Sequence, residues 1–93
     1  MVTRRFIYRV HAVQRMFERG VSAGDVRRVL AEGEVIEEYT TDTPFPSRLV
    51  LALVNDRPLH VVAADNPYGD ETYIITVYEP DPDQWDPTFR RRK

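Results

Sequence analysis

This 93-residue chain has two histidines, and each has neighbours that suit it to moving protons. His11 opens the run HAVQRMFERG, with Arg15 and Arg19 following at steps of four. At about 3.6 residues per turn these three fall along one side of a helix, and Val10, Val13 and Phe17 fall along another. His60 stands in PLHVV, a strand-like run where it shares a face with Pro58 and Val62. In the later run TYIITVYE, Thr76 and Tyr78 alternate onto one face. If the two runs pair as a hairpin, His60 comes near Thr76 to Tyr78.

Two imidazoles and the guanidinium groups of arginines are the minimum kit for cutting RNA without a metal. One group takes the proton from the ribose 2′-hydroxyl and another protonates the departing 5′-oxygen. Arginines stabilise the extra negative charge that builds on phosphorus. The expected assignment makes His11, Arg15, His60 and Tyr78 catalytic, with Arg19, Thr76 and Arg90 holding substrate. Each also has a plainer reading. His11 serves as a helix-start residue, and His60 as a satisfied, half-buried strand residue. Arg15 and Arg19 form a solvated face, with no evident partner in Glu18. Tyr78 belongs to a sheet rim.

These residues need elements to position them. TRRFIY (3–8) reads as an extended lead-in. A helix over Val10–Arg19 stops at Gly20, with its apolar side, Val10, Val13 and Phe17, turned to the core. Ser22 opens a second helix with Asp25 three residues on, and Gly33 closes it. The period then changes. Val35–Tyr39, Leu49–Val54, Pro58–Ala64 and Thr72–Glu79 read as strands, with TTDTPFPS (40–47), Asn55-Asp56 and DNPYGDE (65–71) as connections. In the last strand Tyr73, Ile75 and Val77 form the expected core face, leaving Thr72, Thr76 and Tyr78 free to line a site. The expected class is α+β: two N-terminal helices on a four-stranded, mainly antiparallel sheet. The expected organisation is one domain over 1–93, with a helical hairpin at about 9–33, a sheet at about 34–79 and an irregular tail at 80–93. That tail has three prolines, and Trp85 and Phe89 are its natural anchors.

Composition removes several classes. Without cysteine there are no disulfides and no thiolate metal sites. No His pair has helical ligand spacing, and there is no EF-hand spacing, phosphate-binding glycine loop or GxSxG elbow, so neither metal nor cofactor is expected. No apolar run approaches the ~18 residues that a membrane helix needs. MVTRRF shows no secretory core behind its arginines, so the expected location is the cytoplasm. The net charge of −2 conceals a division. Residues 1–28 carry seven arginines against two acids, residues 29–89 two arginines against thirteen acids, and Arg90, Arg91, Arg92 and Lys93 close the chain. A basic end on an acidic protein can still meet an anion, since exposed charges act over about 8–10 Å. Twelve of the thirteen cations are arginine, the side chain that grips phosphate at two points. A GC-rich codon bias gives the same preference.

HAVQRMFERGVSAGDVRRVLAEGEVIEEY, then RPLHVVAA and TYIITVYEPDPDQWD, resembles a widespread bacterial domain family of unknown function. The signature is a His-x3-Arg-x3-Arg-Gly-[Ile/Val]-Ser helical hairpin ahead of a small sheet, and the likeness spans about residues 8–89. That family is thought to be similar in fold to the RelE-like and MqsR-like toxin ribonucleases of the barnase/colicin group. Its members are often linked with a small zinc-finger antitoxin. The resemblance implies a metal-independent ribonuclease, the toxin of a toxin–antitoxin pair, acting on RNA that includes ribosome-bound mRNA. His11, Arg15 and Arg19 match the motif position by position, while His60 and Tyr78 match more loosely. The rival expectations are a protein-interaction module that uses open sheet edges, and an RNA-binding module without chemistry.

Overall fold

Short-range chemistry shapes the first third of the chain. The computed structural model describes residues 5–93, so Thr3 and Arg4 of the lead-in lie outside the described residues. Arg5–Tyr8 (β1) runs into the helix Val10–Arg19 (α1). Gly20 caps α1 at φ 65°, ψ 38°, a left-handed conformation that glycine adopts without steric penalty. The helix Ala23–Glu32 (α2) opens on a complete capping box. The Ser22 hydroxyl accepts the Asp25 N–H at 3.0 Å, and the Asp25 carboxylate accepts the Ser22 N–H at 2.9 Å. Gly33 ends α2 for reasons of space. A Cβ there would stand 2.7 Å from both the Leu51 carbonyl oxygen and Val50 Cγ1.

Four further strands follow: Glu34–Tyr39 (β2), Ser47–Val54 (β3), Arg57–Asn66 (β4) and Glu71–Tyr78 (β5). Asn55 and Asp56 both take positive φ (55° and 64°), as a two-residue hairpin turn of the primed type requires. The described residues form one sheet in the order β1-β5-β4-β3-β2, with β1 parallel to β5 and the other pairs antiparallel. The expectation of a four-stranded, mainly antiparallel sheet is therefore corrected to five strands, the added edge strand β1 being parallel to β5. The lead-in is a strand because its backbone finds β5 from the far end of the sequence, with Arg5 opposite Glu71 and Tyr8 opposite Ile74. No local pattern announces such a pairing.

Both helices pack on one face of the sheet. The core there joins Ala12, Val21, Val26 and Val29 to Val50, Leu59, Val61, Ala63, Ile74 and Val77. This places α1 the other way round from the expectation. Ala12 is fully buried and Met16 packs on the core, while Val10, Val13 and Phe17 are 71%, 52% and 90% exposed. The Arg9 N–H bonds the Ile74 carbonyl at 3.0 Å and so ties the start of α1 to β5. That tie sets which side of the helix meets the sheet.

The β5 alternation is corrected too. Val62 pairs with Thr76 but Ala63 pairs with Ile74, so Ile75 is an extra residue in β5. The bulge resets the period-two pattern, and Ile74 and Val77 both enter the helix-side core. Tyr73 is thereby removed from the expected core face. The tail, residues 80–93, has neither helix nor strand, yet it folds back with Trp85 buried and bridged to Arg92.

Candidate functional site on the second sheet face

In β4, Leu59, Val61 and Ala63 look into the helix-side core, so His60 projects from the opposite face. There it pairs across the ladder with Leu51 on β3 and Tyr78 on β5. Its side chain is fully buried, rather than half-buried, because the tail lies over it. His60 Nε2 sits 2.9 Å from the Phe89 carbonyl oxygen, and Nδ1 sits 3.1 Å from the Tyr78 hydroxyl. A carbonyl only accepts, so Nε2 carries the proton; Nδ1 is then the acceptor and the Tyr78 hydroxyl donates. The Trp85 indole stands edge-on to the imidazole at 4.5 Å, and the Tyr78 ring at 5.1 Å. Burial pushes the His60 pKa below its ordinary value against the pull of the Phe89 carbonyl and the Glu37 charge. Burial likewise pushes Tyr78 up. The pair is neutral and hydrogen-bonded.

Beside it stands a charged group that the sequence reading missed. Glu37 and Tyr39 alternate onto one face of β2, and the Tyr39 hydroxyl donates to the Glu37 carboxylate. From the tail, Arg92 grips the same carboxylate at two points, Nε and Nη2 each at 3.3 Å. The Arg92 guanidinium also lies 4.6 Å over the Trp85 ring. The Tyr39 hydrogen bond, with Arg92, holds the Glu37 carboxyl below the usual carboxylate range. Burial and the accepting carboxylate push Tyr39 up to about 12. Arg92 is held further toward its charged form by Glu37. The Glu37 and Arg92 side chains remain 26% and 57% exposed, so solvent reaches this rim while His60 is sealed.

Of the residues singled out from sequence, His60 and Tyr78 are brought together, and Thr76 lies half-buried further along β5 opposite Val62. His11 and Arg15 are exposed on α1, on the helix side of the sheet, and do not join them. Arg15 pairs with Glu18 at 3.5 Å, an i,i+3 partner that the sequence reading overlooked. The exposed Arg19 offers its backbone carbonyl to the Arg57 guanidinium. Arg90 reaches Glu34 at 2.6 Å and lines a groove of about 580 Å³ with Leu51, Leu53 and Phe89. The spacing of Glu37 and Tyr39 was a readable signal, since i and i+2 share a strand face. Nothing local pointed to Arg92.

The family described as Domain of unknown function (DUF4258) matches residues 8–79. The chain belongs to this family. The DUF4258 match holds Glu37, Tyr39, His60 and Tyr78, whereas Trp85 and Arg92 lie beyond it. Comparison with curated proteins and with solved structures found no match. Among the described residues no group of three or more His, Asp or Glu side chains is placed to share a metal ion. No described helix is long and apolar enough to cross a membrane.

Proposed function

We propose that this chain is a metal-independent endoribonuclease, the toxin-like member of a toxin–antitoxin pair acting in the cytoplasm, with its reaction centre on the second sheet face. One observation carries the reading: a carboxylate, a phenol and a guanidinium converge at Glu37, Tyr39 and Arg92, beside the hydrogen-bonded His60–Tyr78 pair. The ionised Glu37 takes the proton of the ribose 2′-hydroxyl as that oxygen attacks phosphorus. Arg92 turns its fork to the phosphate and stabilises the added charge. The bond from phosphorus to the 5′-oxygen breaks, and Tyr39, still protonated, gives that oxygen its proton. The proton on Glu37 then returns to Tyr39 through their hydrogen bond, leaving a 2′,3′-cyclic phosphate. His60 and Tyr78 are positioning residues that hold the tail, and so Arg92, in place. Arg90 and Thr76 extend the substrate surface; His11, Arg15 and Arg19 lie outside this centre.

The test is cleavage of mixed RNA, free and on ribosomes, with EDTA present. Loss of the base in Glu37→Gln lowers the rate by about 10²–10⁴-fold, provided circular dichroism shows the variant folded. Equal rates for Glu37→Gln and the parent protein would refute the assignment. A second reading is favoured by the full burial of His60 and the engagement of both its ring nitrogens, which suit a purely structural clasp. On that reading the chain is a non-catalytic binding module. Intact RNA in every lane selects it, and salt-sensitive RNA affinity without turnover makes RNA its ligand.

A further inference from the structure

Residues 81–93 are bonded to one another rather than to the sheet ladder. The backbone N–H groups of Gln84, Trp85, Asp86, Phe89 and Lys93 all donate to carbonyls of Asp81, Gln84, Asp86 and Arg91, within the same segment. Trp85 is the one buried side chain among them. Polar bonds to the sheet come from three places: His60 to the Phe89 carbonyl, Arg90 to Glu34, and Arg92 to Glu37. Both ion pairs reach solvent and so hold weakly. The His60 bond is sealed from water. There Phe89 sits at φ 60°, a left-handed conformation that a bulky residue rarely adopts. The segment can therefore lift away without breaking a strand pairing.

We infer that the tail is a strap that acid releases, with His60 as its latch. Neutral His60 suits both neighbours, since Nε2 donates to Phe89 and Nδ1 accepts from Tyr78. A second proton enters at Nδ1, where the Tyr78 hydroxyl already points its own hydrogen. Tyr78 must then turn, and a full charge is sealed beneath Trp85. Burial already holds the His60 pKa below its ordinary value. Lifting the strap returns water to the ring. Proton and closed strap thus oppose each other, each weakening the other by the same factor. The other groups facing His60 keep their charge as pH falls from about 7 to 5.5. Glu37 on β2 is held below the usual carboxylate range, and its neighbour Tyr39 is pushed up to about 12. Tyr78 on β5 is raised, and Arg92 on the tail stays a cation. From β3 comes the apolar Leu51. Opening uncovers His60 and Tyr78 and takes Arg92 from Glu37. The inference does not rest on the ribonuclease reading, because it concerns only when this sheet face is open.

The experiment follows amide hydrogen exchange of the full chain by NMR between about pH 7 and 5.5, with each rate divided by that of an unstructured chain at the same pH. The Trp85, Asp86 and Lys93 amides should be less protected than those of β3 and β4 at every pH, because the strap opens without the sheet. Once uncovered, His60 takes its ordinary value of about 6.5, so strap protection should fall by up to about tenfold across this range. His60→Gln can keep both hydrogen bonds but does not titrate, and should make strap protection flat with pH. Strap protection equal to that of β3 and β4, no fall with pH in the parent chain, or a fall that persists in a folded His60→Gln would each overturn the inference. A check without any variant is the His60 ring itself. Its resonances should titrate below about 6.5, and a value at or above that would remove the latch. No RNA enters the experiment, so its failure is distinct from failure of the ribonuclease assignment.

Discussion

Replacing Trp85 by alanine tests whether the tail is a clasp held by one anchor. The indole is 2% exposed, stands 4.5 Å edge-on to His60 and carries the Arg92 guanidinium on its face. Truncating a buried tryptophan costs about 3–5 kcal/mol. That cost should fall on the tail alone, because the core between helices and sheet is built without Trp85. The open state of residues 81–93 then becomes about 10²–10⁴ times more populated, at ~1.4 kcal/mol per tenfold change. Native-state hydrogen exchange reads this directly. The Trp85 N–H bonds the Asp81 carbonyl, the Asp86 N–H bonds Arg91, and the Lys93 N–H bonds Gln84, at 3.0, 2.8 and 2.9 Å. These amides should lose protection, while those of β3 and β4 keep theirs. Once uncovered, His60 should titrate upward toward the ordinary value of about 6.5. Unchanged tail protection would refute the anchor. Equal acceleration of tail and β4 amides would refute the idea that the tail opens by itself.

Four further outcomes follow from the same physics. Gly33→Ala forces a methyl against the Leu51 carbonyl and Val50, and should cost about 2 kcal/mol, or ~8–16 °C in melting temperature. Gly24→Ala, whose Cβ would meet only Ser22 Oγ at 3.6 Å, should be neutral or slightly stabilising in the same melting assay. Ser22→Ala removes the acceptor for the Asp25 N–H and should lower stability by about 1 kcal/mol in urea. The fourth concerns pH. His60 is held neutral in the folded state, so below about pH 6.5 the unfolded chain takes up a proton that the folded chain refuses. Stability therefore falls as pH drops from ~6.5 toward the lowered folded pKa, by at most ~1.4 kcal/mol per unit, above the range where carboxylates respond. Urea midpoints at pH 7 and 5.5 measure it; His60→Gln should flatten the difference, and equal midpoints for the parent protein would contradict it.

Much of the fold was legible because it depends on bonds between near neighbours. Gly20 needs only its own backbone angles to end α1, Ser22 and Asp25 cap each other across three residues, and Asn55-Asp56 turns the hairpin by tolerating positive φ. The pairing of His60 with Tyr78 was partly legible for the same reason, since β4 and β5 are consecutive strands joined by a short loop. What tertiary structure decided involves residues that meet only after the sheet assembles. β1 becomes a strand through hydrogen bonds to β5, 66 positions away at Arg5 and Glu71. α1 is amphipathic whichever way it turns. Its tie to Ile74 and the close approach allowed by Ala12 put Phe17 in water, against the ordinary preference of a large apolar side chain. The candidate site is the extreme case, because Glu37 and Arg92 are separated by 55 positions. Each is an ordinary surface charge in sequence, and their shared geometry exists only where the tail crosses the sheet. Hydrogen-bond rules act over three or four residues and leave their mark in sequence, whereas the choice of buried face and the meeting of distant charges are settled by packing the whole chain at once.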